Sequence, residues 1–145
     1  MSERCEVPLQ NASSDEIRDI LKTARSIAVV GHSDDPARAS YRVGRYLASQ
    51  GYQVFAVNPN ATSIPGLKFY PDLESVPGPL DIVDIFRRPE FIPAIVDEAI
   101  ALRAKVIWMQ EGLADNASAA KARAAGLSVV MSRCIMKEHR ALSFD

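Results

Sequence analysis

Residues 26–30, Ser-Ile-Ala-Val-Val, are apolar in succession rather than in alternation. Such a run suits a strand covered on both faces, which is the situation in a parallel sheet. Gly31, a polar stretch and a helix start near Ala39 follow, so the strand leads through a turn into a helix N-terminus. Comparable runs recur at Gln53–Val57, Asp81–Phe86, Lys105–Met109 and Leu127–Met131, and Lys68–Tyr70 reads as a short edge strand closed by Pro71. Between them lie segments with helical spacing: about Ala39 to Gln50 stopped by Gly51, Pro93 to about Arg103, Asn116 to Ala125 stopped by Gly126, and a short tail helix around Ile135 to Arg140. Leu73 to Val76 has room for one helical turn. A first helix starts at Ser13 or Ser14, where Ser13 and Glu16 have the spacing of a capping box. Residues 1–12 read as a flexible arm and 13–145 as one domain.

Strands alternating with helices predict an α/β fold of three layers, a doubly wound parallel sheet of order 3-2-1-4-5-6 with helices on both faces. At 145 residues the chain is long enough for one such unit. A net charge of −1 argues against a nucleic-acid partner. No apolar run is long enough to span a bilayer, and the first residues lack the apolar core of a signal peptide. Cys5 and Cys134 have neither metal nor disulfide spacing, which fits a reducing, cytoplasmic setting.

Ligands of doubly wound sheets bind beyond the carboxyl ends of the strands, where the strand order reverses. That rule selects Gly31–Tyr41, Asn58-Pro59, Phe86-Arg87-Arg88-Pro89 and Met109-Gln110-Glu111-Gly112. Gly31 permits a sharp turn and a close backbone approach, Ser33 and Ser40 offer hydroxyls, and the helix opening near Ala39 offers unpaired N–H groups and a partial positive charge. Arg38 and Arg42 add formal charge. The competing reading makes Gly31 a plain strand end and Ser40 a plain helix cap. Two demands of a dinucleotide site are unmet. Ser33 stands where the second glycine of G-x-G-x-x-G belongs, and Asn58-Pro59 replaces the acidic residue that binds a ribose diol. An asparagine there tolerates a phosphorylated ribose. No G-K-[ST] is present, which excludes a P-loop.

Together these pieces resemble the small stand-alone CoA-binding proteins, whose Rossmann-like domain is related to the nucleotide-binding part of the succinyl-CoA synthetase alpha subunit. The likeness runs through Val30–Val43, Tyr52–Pro59, Asp81–Arg88, Val106–Gly112 and Val129–Cys134. It implies coenzyme A, free or acylated, as ligand. The phosphates would lie on the turn formed by Gly31, His32, Ser33, Pro36, Arg38, Ser40 and Tyr41, with His32 contributing its backbone. The adenosine would lie near Asn58 and Pro59, and the pantetheine arm would run past Phe86, Arg87 and Arg88 towards Met109 and Gln110. The chain lacks the synthetases' partner domain for ATP and an evident phosphohistidine loop, so the resemblance implies binding without ligation.

Arg87 and Arg88 follow a buried strand directly. Charge at the mouth of a crevice focuses anions, and the expectation is that one arginine faces the ligand and the other solvent. Cys134, also at a strand's carboxyl end and beside Arg133, is a candidate reactive thiol, although most single cysteines serve packing. Trp108 and Met109 read as core and pocket wall. Glu138 and His139 are adjacent on a helix, point in different directions and read as surface. Three functions remain open on the sequence: a CoA-binding module, an NAD(P)-dependent oxidoreductase without the usual fingerprint, and a protein-interaction domain on a vestigial nucleotide-binding fold. Oligomeric state, a homodimer or a complex with another protein, is also open.

Overall fold

A computed structural model describes residues 6–61 and 66–142. Cys5 and part of the loop after Asn60 lie outside the described residues. Six parallel strands form one sheet: β1 (Ser26–Val30), β2 (Gln53–Val57), β3 (Phe69–Tyr70), β4 (Ile82–Ile85), β5 (Val106–Met109) and β6 (Ser128–Val130). Their spatial order is β3-β2-β1-β4-β5-β6, the expected 3-2-1-4-5-6. The order reverses between β1 and β4, which pair in register from Ile27 with Ile82 to Val30 with Ile85.

Side-chain alternation along the strands divides the core into two layers. Ile27, Val29, Ile82, Val106 and Trp108 pack against helices α1 (Ser14–Thr23), α2 (Ala39–Ser49) and α5 (Ile135–Arg140). Ala28, Val30, Val83, Ile85, Ile107 and Met109 pack against α3 (Ile92–Ala101) and α4 (Asn116–Ala124). Every residue of β1 and β4 is buried, as successive apolarity requires. Asp84 is the exception in kind: a carboxyl with no exposure, on the central strand β4, whose two oxygens find no hydrogen-bond partner.

Local signals explain most boundaries. The Ser13 hydroxyl accepts from the Glu16 N–H and caps α1, and the Asp115 carboxylate caps α4 through the Ser118 N–H. Gly51 and Gly126, both near φ +97°, end α2 and α4 in the left-handed region that glycine adopts freely. Two helix ends differ from expectation. The α3 helix begins at Ile92, after a 3-10 turn over Pro89–Phe91, and places Pro93 in its second position. The amide missing there would have had no intrahelical acceptor either. The same helix ends at Ala101, because Arg103 takes φ +61° and turns the chain back without a glycine.

Residues 6–12 contain no helix or strand, and hydrogen bonds tie them to α4 and to the end of β6. Glu6 Oε1 accepts from the Asn116 backbone and side-chain amides, the Leu9 N–H donates to Asn116 Oδ1, and Arg123 donates to the Gln10 carbonyl. Asn11 both donates to the Met131 carbonyl and accepts from the Met131 N–H. Polar side chains at both ends of this strap supply the bonds that a sequence without periodicity could not announce. Among the described residues no helix is long and apolar enough to cross a membrane.

Candidate functional site

At the carboxyl end of the sheet, over the point where the strand order reverses, lies a cleft of about 600 Å³. Its apolar surface comes from Val43 on α2, Phe86 after β4, Leu113 after β5, and Cys134 and Met136 at the start of α5. Its polar rim comes from Arg42, Arg87, Arg88, Gln110, Glu111 and Lys137, and Ala39 places the first residue of α2 at its edge.

The polar turn after β1 is a set of side-chain-to-backbone bonds. Ser40 Oγ accepts from the Ser33 N–H at 2.9 Å, Ser33 Oγ from the Asp35 N–H at 2.9 Å, and Asp35 Oδ1 from the Ala37 N–H at 3.0 Å. Arg42 donates to the Ala37 carbonyl at 2.7 Å and braces the turn from the cleft side. Ser40 is therefore a brace of the turn, not a plain helix cap. No side chain caps α2, and its first turn holds no acidic residue, so the N–H groups of Ala39, Ser40 and Tyr41 keep their donor capacity. Ser40→Ala would leave the Ser33 N–H without its acceptor. It is expected to cost about 1–2 kcal/mol in urea unfolding.

Gly31 has φ +91°, and a Cβ there would stand 2.3 Å from the Phe86 carbonyl oxygen and 2.9 Å from Arg87 Cδ. The turn thus presses directly on the exit of β4. Asn58 joins it from β2: its amide donates to the His32 carbonyl at 3.0 Å and its Oδ1 accepts from the Asn60 N–H. His32 itself is wholly buried, edge-on to Phe69 and Tyr41. Its Nδ1 donates to the Ser33 carbonyl at 2.8 Å, while Nε2 has no partner and lies against Gly44 of α2. Burial pushes the imidazole below its ordinary value, against the pull of the Ser33 carbonyl and with that of Arg45, so the ring is neutral at neutral pH.

The cleft is cationic on balance. Glu111 is held by Lys137, 3.2 Å from either carboxylate oxygen. Arg88 has only a loose pairing with Glu90 at 3.8 Å. Arg87 stacks over the Phe91 ring at 4.1 Å and, like Arg42, has no carboxylate partner among the described residues. Both arginines after β4 border the cleft, but unequally: Arg87 is half-buried against Phe91, while the Arg88 side chain is 75% exposed to solvent.

The loops after β5 and β6 are stitched together beneath this surface. Trp108 Nε1 donates to the Arg133 carbonyl at 2.8 Å, the Arg133 N–H to the Met109 carbonyl, and the Ser132 N–H to the Leu113 carbonyl. Ser132 takes φ +55°, an uncommon backbone state for a side-chain-bearing residue.

Of the residues singled out in the sequence, Phe86, Arg87, Arg88, Gln110 and Cys134 meet around one cleft. Gly31, Ser33, Pro36, Arg38, Asn58 and Pro59 belong to the adjoining turns, Ser40 and Tyr41 to the first turn of α2, and none of them lines it. Met109 is a correction. It has no exposure and packs in the layer facing α3 and α4, because alternation along β5 turns Trp108 and Gln110 to one face and Met109 to the other. The His139 reading is also corrected: it is buried and its Nδ1 lies 2.7 Å from the Tyr46 hydroxyl. Sequence reasoning missed Val43, Leu113, Met136 and Lys137, and the helical pattern of α2 held the only signal for Val43. Among the described residues no cluster of histidine, cysteine and acidic side chains could hold a metal ion.

A sequence model of the family described as "CoA binding domain" matches residues 25–140. Over 131 residues the chain is 37% identical to the uncharacterized protein YneT of Bacillus subtilis, covering 90% of this chain and 97% of that protein. Over 75 residues it is 33% identical to the alpha subunit of acetate–CoA ligase (ADP-forming) II of Pyrococcus furiosus, covering 51% of this chain and 16% of that subunit. The solved structure of a hypothetical protein from Pyrococcus horikoshii superposes with a TM-score of 0.87 at 36% identity, over 96% of this chain and 98% of that one.

Proposed function

The chain belongs to the CoA-binding domain family, and on that premise we propose that the cleft at the switch point binds coenzyme A or an acyl-CoA. One observation carries the reading: an apolar groove whose rim holds Arg42 and Arg87, which have no carboxylate partner among the described residues, ending at the uncapped N-terminus of α2. A ligand that joins phosphates to a long, weakly polar arm matches that division of surface. Helix N–H groups and guanidinium groups favour the phosphates, and Val43, Phe86, Leu113 and Met136 favour the pantetheine arm. The ribose 3′-phosphate accords with Asn58 in place of an acidic residue. Asn58 in this reading shapes the turn, since both ends of its amide are engaged with backbone.

Calorimetric titration with CoA tests the proposal. Arg87→Ala is expected to weaken binding about tenfold, the loss of one charge-assisted hydrogen bond. Raising the salt concentration weakens binding further, because the rim arginines are partly exposed. A folded sample that takes up NADP but neither CoA nor short acyl-CoAs would transfer the site to the oxidoreductase reading. A sample that takes up none of these would leave the interaction-domain reading.

A further inference from the structure

Cys134 and Gln110 stand side by side in the cleft and are joined through one peptide group. Gln110 is 5% exposed, and its Oε1 accepts from the N–H of Ile135, the residue after Cys134, at 3.2 Å. That bond fixes which end of the amide points where. Gln110 Nε2 then faces away from α5, and nothing among the described residues accepts from it. Nor is this nitrogen sealed within the protein, as the unpartnered atoms of His32 and Asp84 are. It opens into the cleft that Gln110 lines. An amide donor with no protein acceptor, set in the cleft wall beside a thiol, is placed to bond an acceptor on a ligand. Cys134 is the one free cysteine among the described residues, and its wall of the cleft is shared with Met136 and Phe86.

We infer that Cys134 and Gln110 form a receiving site for the sulfur end of a CoA-type ligand, at which Cys134 forms a mixed disulfide by thiol–disulfide exchange. This rests on the CoA-binding reading of the same cleft. The pantetheine arm carries secondary amides close to its sulfur, and Gln110 Nε2 donates to one of their carbonyls. The co-reactant is a disulfide of CoA. Cys134 Sγ, as the thiolate, attacks one sulfur of that disulfide. The Sγ–S bond forms, the ligand's S–S bond breaks, and the departing CoA thiolate leaves with the electron pair and takes up the proton that Cys134 gave to solvent. Cys134 is oxidised, one ligand sulfur is reduced, and no further oxidant enters. An excess of free thiol runs the exchange backwards. Gln110 acts here as a positioning residue.

Intact-mass measurement of the protein after incubation with CoA disulfide, without reductant, tests the inference. The expected product gains one CoA less the two thiol hydrogens, and peptide mapping places the adduct on Cys134. Cys5→Ser retains the adduct, and Cys134→Ser loses it. Prior binding in the cleft makes the reaction about tenfold or more faster than with glutathione disulfide at equal concentration. Adenosine 3′,5′-bisphosphate, which has no sulfur, slows it by competition. Gln110→Leu lowers the ratio of the CoA disulfide rate to the glutathione disulfide rate. Equal rates for the two disulfides, or an adduct on Cys5 alone, would overturn the site. Calorimetry with reduced CoA separates the two levels. CoA bound without any adduct on Cys134 overturns only the exchange, whereas no CoA bound overturns the binding reading and the exchange with it. Mapping on the unaltered protein keeps the test decisive even where a variant fails to fold.

Discussion

Gly44→Ala lowers the stability of the folded chain by about 2–3 kcal/mol, the cost of forcing extra volume into a well-packed interior. At an exposed site in the middle of a helix the same change would raise stability by roughly 0.5–1 kcal/mol, because alanine is the better helix former. Gly44 lies within α2, and a Cβ there would stand 2.2 Å from His32 Nε2 and 2.5 Å from Cδ2. The ring cannot retreat. It is wholly buried, held by the Ser33 carbonyl, and flanked by Phe69 and Tyr41. The clash therefore outweighs the gain in helix propensity. Thermal unfolding is expected to shift down by about 5 °C or more for a chain of this size. A double variant, Gly44→Ala with His32→Ala, makes the cause explicit: removal of the ring admits the methyl group, so the two changes are non-additive by more than about 1 kcal/mol. A Gly44→Ala protein at least as stable as the parent would show that helix and ring do not touch in this way.

The second large effect has the opposite sign. Asp84→Val is expected to stabilise the fold by about 1–3 kcal/mol at neutral pH, since it replaces an orphaned carboxyl with an apolar strand former. Asp84 faces the layer of Val29 and Trp108, its cross-strand neighbours, and burial drives its carboxyl well above the ordinary value of 3.8. The sign of the pH dependence follows. Above pH 3.8 the unfolded chain releases this proton while the native chain keeps it. Stability therefore falls as pH rises, until the native group also ionises and the full cost is reached. Asp84→Asn removes the ionisation while keeping the shape, so the difference between parent and variant grows with pH from about pH 4 upward. His32 contributes with the opposite slope. Its depressed native value lets the unfolded state bind the proton first, so its share of stability is present above 6.5 and is lost as pH falls. Urea titrations of parent and Asp84→Asn at several pH values isolate the aspartate. Parallel curves would place a hydrogen-bond partner on the carboxyl.

The sheet was legible in the sequence because a parallel strand covered on both sides is mostly apolar in succession, Asp84 apart. Val29-Val30, Ile82-Val83 and Val106-Ile107 announce burial without any pattern to decode. Gly51 and Gly126 marked helix ends for the stereochemical reason that makes glycine common there, and Arg103 and Ser132 did not, because they enter the same left-handed region with side chains attached. The switch point followed from strand order alone, and with it the segments that border the cleft. What could not be read was facing. Whether Met109 or Gln110 reaches the cleft depends on the pleat of one strand, a matter of a single residue. The use of Ser40 and Asn58 as braces for the turn was equally hidden, since a hydroxyl or amide suited to a phosphate suits a backbone N–H as well. The far wall, Met136 and Lys137, comes from a helix whose place over the sheet is set by the stitching of the β5 and β6 loops, not by a signal of its own.

The bidentate grip of Asn11 on Met131 has a consequence for the company this molecule keeps. The outer side of β6 is the flank of a parallel sheet, where unpaired peptide groups invite a strand from another chain. Just past its end, both the N–H and the carbonyl of Met131 are taken by one side-chain amide, which mimics the peptide group of a seventh strand. At the opposite flank β3 is only two residues long. The strap thus works as a stopper against uncontrolled growth of the sheet, and it does so with a single asparagine.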